Sequence, residues 1–324
     1  IIIMMKKIKL SKKHKKNINK FLFIILILIS IEISLRVIGD IYLNKTAFRK
    51  NDFYLQDNAI NILTLGESST AGLGVLRNES YPLQLERKLK ELHPDKNINV
   101  IIPVHMGQNT GQLSNRIEKY IEIYKPKIIL IMPGYNNEWS LAESNLHKFI
   151  KGKDSFKVKL YSFLDNLRLY RYLRNIHIRY FVKNNKQYSQ SLKNNQYIWG
   201  GPEHVRYPIK KWIYDLSETH RDEFINTWKY DILKIIETSK NNKIIPILMT
   251  YHINPTYLNS KEFVDLAKKE KILLIRNDLI FKKIINDDTI NQYIFSTDNW
   301  HPNSKGYELI AQNIINEINN NKII

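Results

Sequence analysis

The chain has 324 residues, enough for one large domain or two small ones, and its 43% hydrophobic content suits a folded protein with a sizeable core. It contains no cysteine, which excludes disulfide bonds and thiolate metal sites. The formal net charge is +19 and the sequence pI about 9.7, but no nucleic-acid-binding motif accompanies this charge. We therefore expect no nucleic-acid partner.

The first 20 residues carry eight lysines and no acidic residue. Residues 21–43 follow with an apolar run and a continuing helical pattern, and about 20 such residues suffice to cross a bilayer. Glu32 and Arg36 interrupt the apolar pattern, but they lie four residues apart on one helical face and can pair. We predict a basic cytoplasmic tail over residues 1–20, a transmembrane anchor over 21–43 and a polar linker over 44–57.

A cleaved signal peptide and a buried amphipathic helix are the alternatives to an anchor. No small-x-small cleavage site follows the apolar run, and a basic flank of this density is unusual for a core helix. Most lysines precede the span, so the positive-inside rule predicts a cytoplasmic N-terminus and an extracytoplasmic remainder. Membrane lipid is thus a predicted partner through residues 21–43, and the lysines could also bind anionic headgroups.

Short apolar segments alternate with helical patterns from residue 62 onward. The predicted strands are residues 62–65, 100–102, 128–132, 244–249 and 272–275. The predicted helices are residues 81–92, 112–124, 224–240, 261–269 and 305–318. Continuous apolar strands that alternate with helices predict a parallel sheet covered on both faces. In such a sheet a ligand site lies beyond the carboxyl ends of the strands.

Residues 140–222 depart from this alternation and are predicted to form an insertion between the third and fourth strands. Residues 155–179 show the pattern of one or two amphipathic helices, and residues 188–208 are predicted to form a loop. The insertion could form a lid or a ligand-binding wall above the sheet. It could instead pack on the sheet edge without binding anything, or lie on the membrane.

Ser68 follows the first predicted strand in a turn that begins at Gly66. A serine just past the carboxyl end of a strand is well placed to act as a nucleophile. Near the other end of the chain, Asp298 precedes His301 by three residues. A nucleophilic serine needs a base, and the base needs an acceptor on its other ring nitrogen. Ser68, His301 and Asp298 are therefore candidates for a catalytic triad.

With these residues the chain resembles the SGNH (GDSL-type) hydrolase family, in its membrane-anchored bacterial form. Gly66-Glu67-Ser68 stands where the family has Gly-Asp-Ser, and Gly107 stands where the second block has its glycine. Gly134-Tyr-Asn-Asn137 resembles the third block, Gly-x-Asn-Asp, and Asp298-Asn-Trp-His301 resembles the final Asp-x-x-His. The four blocks occur in the family's order.

The resemblance covers residues 58–139 and 223–324 and implies a hydrolase domain over 58–324. It implies a flavodoxin-like three-layer α/β/α sandwich with a five-stranded parallel sheet. It also implies an oxyanion hole made by the backbone N–H groups of Ser68 and Gly107 and the side-chain amide of Asn136. We expect no cofactor and no metal, because no cluster has metal-ligand spacing and no phosphate-binding loop occurs.

The predicted function is a serine esterase that hydrolyses ester-linked acyl groups on a small molecule or a glycan. O-acetyl groups on cell-envelope glycans are a candidate substrate, suggested by the predicted location. An O-acyltransferase that uses the same triad is one alternative. A non-catalytic binding module that kept the fold is another.

Several neighbouring residues could compete for these roles. Ser69 is out of register with the motif and is predicted to bond backbone in the turn. His105 and His252 lie near strand ends but have no acid at a pairing distance in sequence, so both are predicted to be structural. Asn109 or Gly111 could shape the oxyanion loop in place of Gly107.

Two residues replace aspartates of the family pattern. Glu67 stands in the first block and is predicted to support its loop, although its extra methylene group could shift the packing. Asn137 stands in the third block, where the loss of a charge is expected to alter local hydrogen bonding.

Overall fold

A computed structural model describes residues 12–46, 59–103, 107–183, 208–284, 289–295 and 300–324 of the chain. The β-strands among them are β1 Ile60–Leu65, β2 Ile98–Ile101, β3 Ile128–Ile131, β4 Ile245–Met249 and β5 Leu273–Ile275. The α-helices up to β3 are α1 Lys12–Thr46, α2 Ser68–Ala71, α3 Tyr81–Leu92, α4 Thr110–Ser114 and α5 Ile117–Tyr124. The later ones are α6 Asp154–Asn166, α7 Arg168–Lys183, α8 Pro208–Thr219, α9 Arg221–Asn241, α10 Ser260–Glu270, α11 Asn277–Ile284, α12 Ile290–Tyr293 and α13 Ser304–Asn320. Short 3₁₀ helices span Arg77–Glu79, Tyr135–Glu138 and Leu146–Lys148.

The five strands form one parallel sheet in the order β2-β1-β3-β4-β5. Strand β1 lies between β2 and β3, and its Ile62 pairs with Val100 on one side and with Ile128 on the other. Successive side chains of a strand point to opposite faces, and Ile62 and Leu63 are both fully buried. Helices therefore cover both faces, and the predicted α/β sandwich with five parallel strands is confirmed.

The helices pack on the sheet through apolar stripes. In α3 the buried residues Tyr81, Leu85 and Leu89 recur every four positions, which places them on one face. This helix packs against α13, while α4 and α5 pack against α9. Helix α3 follows the Ser68 turn, and α13 follows His301. The packing of α3 on α13 therefore brings together parts of the domain that are far apart in sequence.

The predicted helix over residues 112–124 is two helices, with a break at Asn115 and Arg116. The Arg116 guanidinium donates from Nη1 to the carbonyl oxygen of Gln112 at 2.6 Å and forms an ion pair with Glu143. A cationic side chain that binds a free carbonyl near a helix end stabilises that end. The apolar periodicity continued across the break, so it did not predict the two helices.

The insertion is more helical than the sequence suggested. The predicted amphipathic segment over residues 155–179 forms the two helices α6 and α7. The predicted loop over 188–208 lies outside the described residues except for Pro208, which begins α8. A proline at the first helical position fits this start, because its missing N–H is not needed there. The buried residues Ile213 and Leu216 explain why α8 packs on the domain.

Within α1, residues Lys16–Gly39 form a helix long and apolar enough to cross a membrane, and none of its apolar window is buried. A signal sequence near an N-terminus has the same properties. Helix α1 continues through Thr46, so residues 44–46 of the predicted linker are helical. The other residues of that linker lie outside the described part of the chain.

Candidate active site

Ser68 lies at the carboxyl end of β1, where the chain turns sharply into α2. A Cβ atom at Gly66 would lie 1.9 Å from Thr70 Oγ1, so no other residue fits this turn without a rearrangement. Glu67 precedes α2, and its carbonyl accepts hydrogen bonds from the backbone of Thr70 and Ala71. Ser68 is only partly buried, whereas Ser69 is buried. The turn thus leaves the Ser68 side chain accessible at the edge of the sheet.

His301 is held by a short antiparallel bridge between Ile294 and Pro302. The Phe295 N–H donates to the His301 carbonyl oxygen at 3.0 Å, which fixes the backbone of the histidine itself. Immediately afterwards, the Asn303 side chain accepts hydrogen bonds from the first turn of α13 and caps it. His301 is 6% exposed, so the bridge and the cap hold a nearly buried imidazole.

The hydroxyl oxygen Oγ of Ser68 lies 2.8 Å from Nε2 of His301, although 233 positions separate the two residues. The packing of α3 on α13 brings them together. Gln84 in α3 donates from Nε2 to the carbonyl oxygen of Ser304, at 3.0 Å, next to the His301 loop. A serine hydroxyl at this distance from an imidazole nitrogen has the geometry in which the base can remove the hydroxyl proton.

Asn136 lies in the 3₁₀ helix that follows β3, at the same edge of the sheet. Its side-chain amide donates from Nδ2 to the carbonyl oxygen of Gln108 at 3.0 Å. Gly107, the residue before Gln108, is exposed and has a backbone φ of +82°, a conformation that favours glycine. The structure therefore links the loop of Asn136 directly to the loop of Gly107.

Asn109 and Gly111 have other tasks in that loop. The Asn109 side chain accepts from the Gln112 N–H and donates to the carbonyl oxygens of Ser140 and Ala142, so it caps α4 and binds the segment after Asn136. Gly111 is inside α4, where a Cβ atom would lie 2.4 Å from the Glu143 carbonyl oxygen. Both positions stabilise the loop rather than present a group to its open side.

Glu67 joins the nucleophile turn to the Asn136 loop. Its Oε1 atom accepts hydrogen bonds from the backbone N–H groups of Gly134 at 2.6 Å and Asn136 at 3.2 Å. Its Oε2 atom accepts from the Tyr251 hydroxyl at 3.1 Å. Burial raises the pKa of Glu67 to about 8, although these three donors favour the charged form. The sequence predicted a supporting role for Glu67, and the contacts identify the loop that it supports.

Asn137 belongs to a buried polar cluster that the sequence did not reveal. Its Oδ1 atom accepts from the Thr110 N–H at 3.0 Å, and the Thr110 hydroxyl donates to Asp231 Oδ2 at 2.6 Å. Asn145 donates to the other Asp231 oxygen at 2.6 Å. Asp231 in α9 thus brings a carboxylate to the cluster that contains Asn137. In the sequence, the sign of this cluster is Asp231 itself, an acidic residue on the apolar face of α9 that is buried in the structure.

An aromatic cluster connects the Asn136 loop to the His301 loop. The Tyr135 ring lies 4.3 Å from the Trp300 ring and 4.7 Å from the Tyr251 ring, measured between centroids. Tyr135 also donates from its hydroxyl to the carbonyl oxygen of Ile253 at 2.7 Å. Trp300 directly precedes His301, so these contacts hold the histidine loop against the loop of Asn136.

The insertion reaches the same edge of the sheet through α8. This helix packs on the 3₁₀ helix that carries Asn136. Tyr214 of α8 stacks on Trp139, with ring centroids 5.5 Å apart and planes 29° apart. Part of the insertion therefore borders the candidate site.

Two predicted residues cannot be placed. Asp298, the proposed third member of the triad, lies outside the described residues, and so does His105. His252 is described, and its Nε2 atom is engaged with the carbonyl oxygen of Trp300 at 2.6 Å. Among the described candidates, the structure brings Ser68 into contact with His301. It also brings Asn136 next to Gly107, through the hydrogen bond to Gln108.

No family model matches the chain, and no curated protein matches it. Solved structures do resemble it. A psychrotrophic esterase, EstA, from Pseudoalteromonas sp. is 15% identical, with 82% of this chain and 98% of that chain covered and a TM-score of 0.44. A lipase/acylhydrolase from Enterococcus faecalis is 16% identical, covers 80% and 95%, and has a TM-score of 0.43. A two-domain esterase active on acetylated mannans is 13% identical, covers 82% and 50%, and has a TM-score of 0.47. At these sequence identities and TM-scores, the similarity concerns the fold alone.

Proposed function

We propose that this protein is a serine esterase of the SGNH type. The observation that carries the proposal is the distance of 2.8 Å between Ser68 Oγ and His301 Nε2 at the carboxyl edge of a parallel sheet. That edge is where α/β proteins of this architecture bind ligands. A serine hydroxyl in contact with an imidazole is the pair that nucleophilic acyl transfer requires.

In the proposed reaction His301 Nε2 accepts the proton of Ser68 while Oγ attacks the ester carbonyl carbon. The tetrahedral intermediate collapses, and the protonated His301 returns the proton to the departing alcohol. Water then attacks the acyl-enzyme, again with His301 as base, and releases the acid and free Ser68. Asp298 is the proposed acceptor of the Nδ1 hydrogen, which would fix the tautomer and stabilise the imidazolium.

The negative charge on the carbonyl oxygen needs donors that are already in place. We assign this role to the backbone N–H groups of Ser68 and Gly107 and to the side-chain amide of Asn136. The hydrogen bond from Asn136 to the Gln108 carbonyl supports this assignment, because it holds the amide beside Gly107. One of the two Nδ2 hydrogens makes that bond, and the other is available for an oxyanion.

We further propose that α1 anchors the protein in a membrane, with the N-terminus in the cytoplasm and the esterase domain outside. The length and composition of Lys16–Gly39 and the lysines before it support this arrangement. The substrate would then be an ester-linked acyl group in the cell envelope, and O-acetyl groups on glycans are the class that we would test first.

The test is covalent labelling of the full-length protein in detergent with a fluorophosphonate, followed by an ester-substrate screen. We expect labelling and hydrolysis in the wild type and in Ser69→Ala, and neither in Ser68→Ala. His301→Ala should lower both by several orders of magnitude. Ser69→Ala is the matched control because it removes the neighbouring hydroxyl only. Folded wild-type protein that neither labels nor hydrolyses any ester would contradict the proposal and favour a binding module.

The same screen separates hydrolysis from transfer. Wild-type enzyme that has accepted an acyl group is offered an oligosaccharide, and the products are analysed by mass spectrometry. Release of the free acid, unchanged by the oligosaccharide, is expected for an esterase. Acyl groups found mainly on the oligosaccharide would identify an O-acyltransferase instead.

A further inference from the structure

The hairpin of α6 and α7 exposes large apolar side chains to the outside of the domain. In α6, Phe156 is 76% exposed and Phe163 is 61% exposed, with exposed Leu160 between them on the same helical face. In α7, Leu173 and Ile176 are exposed as well. Contiguous exposed apolar surface of this kind marks a surface that contacts a partner or a membrane.

The interior side of the same hairpin carries polar as well as apolar residues, since Val158 of α6 is fully buried there together with two polar side chains. Ser162 and Asp165 of α6 are buried, and the Asp165 carboxylate is paired with Arg174 of α7. The buried face of α3 is more apolar, with Tyr81, Leu85 and Leu89. Apolar side chains outside and an ion pair between Asp165 and Arg174 inside suit a helix pair that lipid surrounds.

The hairpin is joined to α1 at a carboxylate in the C-terminal half of the apolar span Lys16–Gly39. Glu32 Oε1 accepts from the Arg168 N–H at 3.1 Å, and Oε2 accepts from the Leu169 N–H at 2.9 Å. These are the first two residues of α7, whose N–H groups have no partner within the helix. Glu32 thus caps α7 from a position 136 residues earlier in the chain.

Two arginines complete the joint. Arg36 pairs with Glu32 at 2.7 Å and donates from Nη2 to the Asn166 carbonyl oxygen at 2.8 Å. Arg168 donates from Nη1 to the carbonyl oxygens of Leu35 and Arg36 at 3.0 and 3.1 Å. The charged side chains and the backbone groups of the turn therefore bind one another, which lowers the cost of placing them in a bilayer.

The joint lies within the apolar span rather than beyond its end. Glu32 precedes Gly39, the last residue of the span, by seven positions, which is about 10 Å along a helix. Gly39 itself is close to the joint, since a Cβ atom there would lie 1.6 Å from Arg168 Nη1. If α1 crosses a bilayer, the turn between α6 and α7 is carried into the same lipid.

We propose that the α6–α7 hairpin is inserted in the membrane leaflet nearest the esterase domain, with its apolar face against lipid and its turn bound to α1. This inference rests on the proposed membrane anchor. The domain is then held at the bilayer surface by two attachments. A hydrogen bond from the Glu143 N–H to Asn166 Oδ1, at 2.6 Å, connects the hairpin turn to the rest of the domain.

The absence of cysteine from the sequence makes a direct test possible. Single substitutions Phe163→Cys, Leu28→Cys and Leu92→Cys are labelled with bimane in full-length protein reconstituted into phosphatidylcholine–phosphatidylglycerol vesicles. Quenching by lipids with a nitroxide on the acyl chain is then measured. Leu28 in α1 is the control for the anchor. Leu92, 53% exposed at the end of α3, is the control for an apolar side chain in water. Melting temperatures verify that each variant is folded.

We expect strong quenching at Leu28→Cys and Phe163→Cys and little at Leu92→Cys. Quenching at Leu28→Cys alone would overturn the insertion of the hairpin and leave the anchor intact. No quenching at any of the three positions would overturn the anchor and the inference together, while the labelling of Ser68 would still test the esterase assignment.

Discussion

His252 donates a hydrogen bond of 2.6 Å from Nε2 to the backbone carbonyl oxygen of Trp300, the residue directly before His301. A carbonyl oxygen can only accept, so Nε2 of His252 carries the hydrogen. His252 follows β4 by three positions, and its ring packs against Phe281, with the centroids 5.1 Å apart. The central sheet therefore positions the candidate base through a second histidine.

Replacement of His252 should impair turnover more than substrate binding. We expect His252→Ala to lower kcat roughly tenfold, equivalent to about 1.4 kcal/mol, with little change in KM, because one hydrogen bond that positions His301 is lost. His252→Gln, whose amide can still donate, should restore much of the activity. Steady-state kinetics of both variants provide the test, and an unchanged kcat in His252→Ala would contradict a positioning role.

Glu67 should make the protein less stable as the pH rises. Burial raises its pKa to about 8 from an ordinary value of 4.5, so the folded state holds a proton that the unfolded state has already released. The unfolding free energy therefore falls as the pH increases from about 4.5 to about 8. Thermal unfolding across this range should show a smaller fall in Glu67→Gln than in the wild type.

A second buried acid, Glu138, contributes to the same pH dependence of stability, so its contribution has to be separated from that of Glu67. Burial raises the pKa of Glu138 to about 7, and the negative charges of Glu138 and Glu67 repel one another. Glu138→Gln is therefore the control, because it should remove the dependence only up to about pH 7. Parallel pH profiles for the wild type and Glu67→Gln would show that Glu67 has an ordinary pKa in the folded protein.

Replacement by alanine should lower activity at Asn136 and stability at the adjacent Asn137. Asn136→Ala removes a proposed oxyanion donor and should lower kcat by about 10²–10³ with little effect on the melting temperature. Asn137 is buried and bonded to Thr110, so Asn137→Ala should lower the unfolding free energy by about 1–3 kcal/mol. Kinetics and thermal unfolding of both variants test this, and full activity of Asn136→Ala would remove Asn136 from the oxyanion hole.

Glu32 should hold the hairpin without being needed for the anchor. In Glu32→Ala the N–H groups of Arg168 and Leu169 lose their acceptor, and the turn separates from α1. Lipid quenching of bimane at Phe163→Cys should then decrease, while that at Leu28→Cys stays unchanged. Glu32→Gln keeps an acceptor oxygen and should behave more like the wild type. Unchanged quenching at Phe163→Cys in Glu32→Ala would show that other contacts hold the hairpin.

The strands and the main helices were predictable because their signals are local. Apolar runs marked the five strands to within two residues at each end, and α3 had the predicted bounds Tyr81–Leu92. The break between α4 and α5 was missed, since it depends on the Arg116 guanidinium and its partner Glu143, 27 positions away. Pro208 was assigned to a loop but begins α8, because proline is common both in loops and at the first position of a helix.

The sequence by itself determined the alternation of strands and helices, and it identified Ser68, His301 and Asp298 as candidates, while a resemblance to a known family implied Gly107 and Asn136. Periodicity and motif spacing are properties of the chain alone, so they need no coordinates. The tertiary structure decided which distant groups meet: Ser68 with His301, Asp231 with Thr110, and Glu32 with the start of α7. Such contacts arise from the packing of helices on the sheet and on one another, and they leave no regular pattern in the sequence.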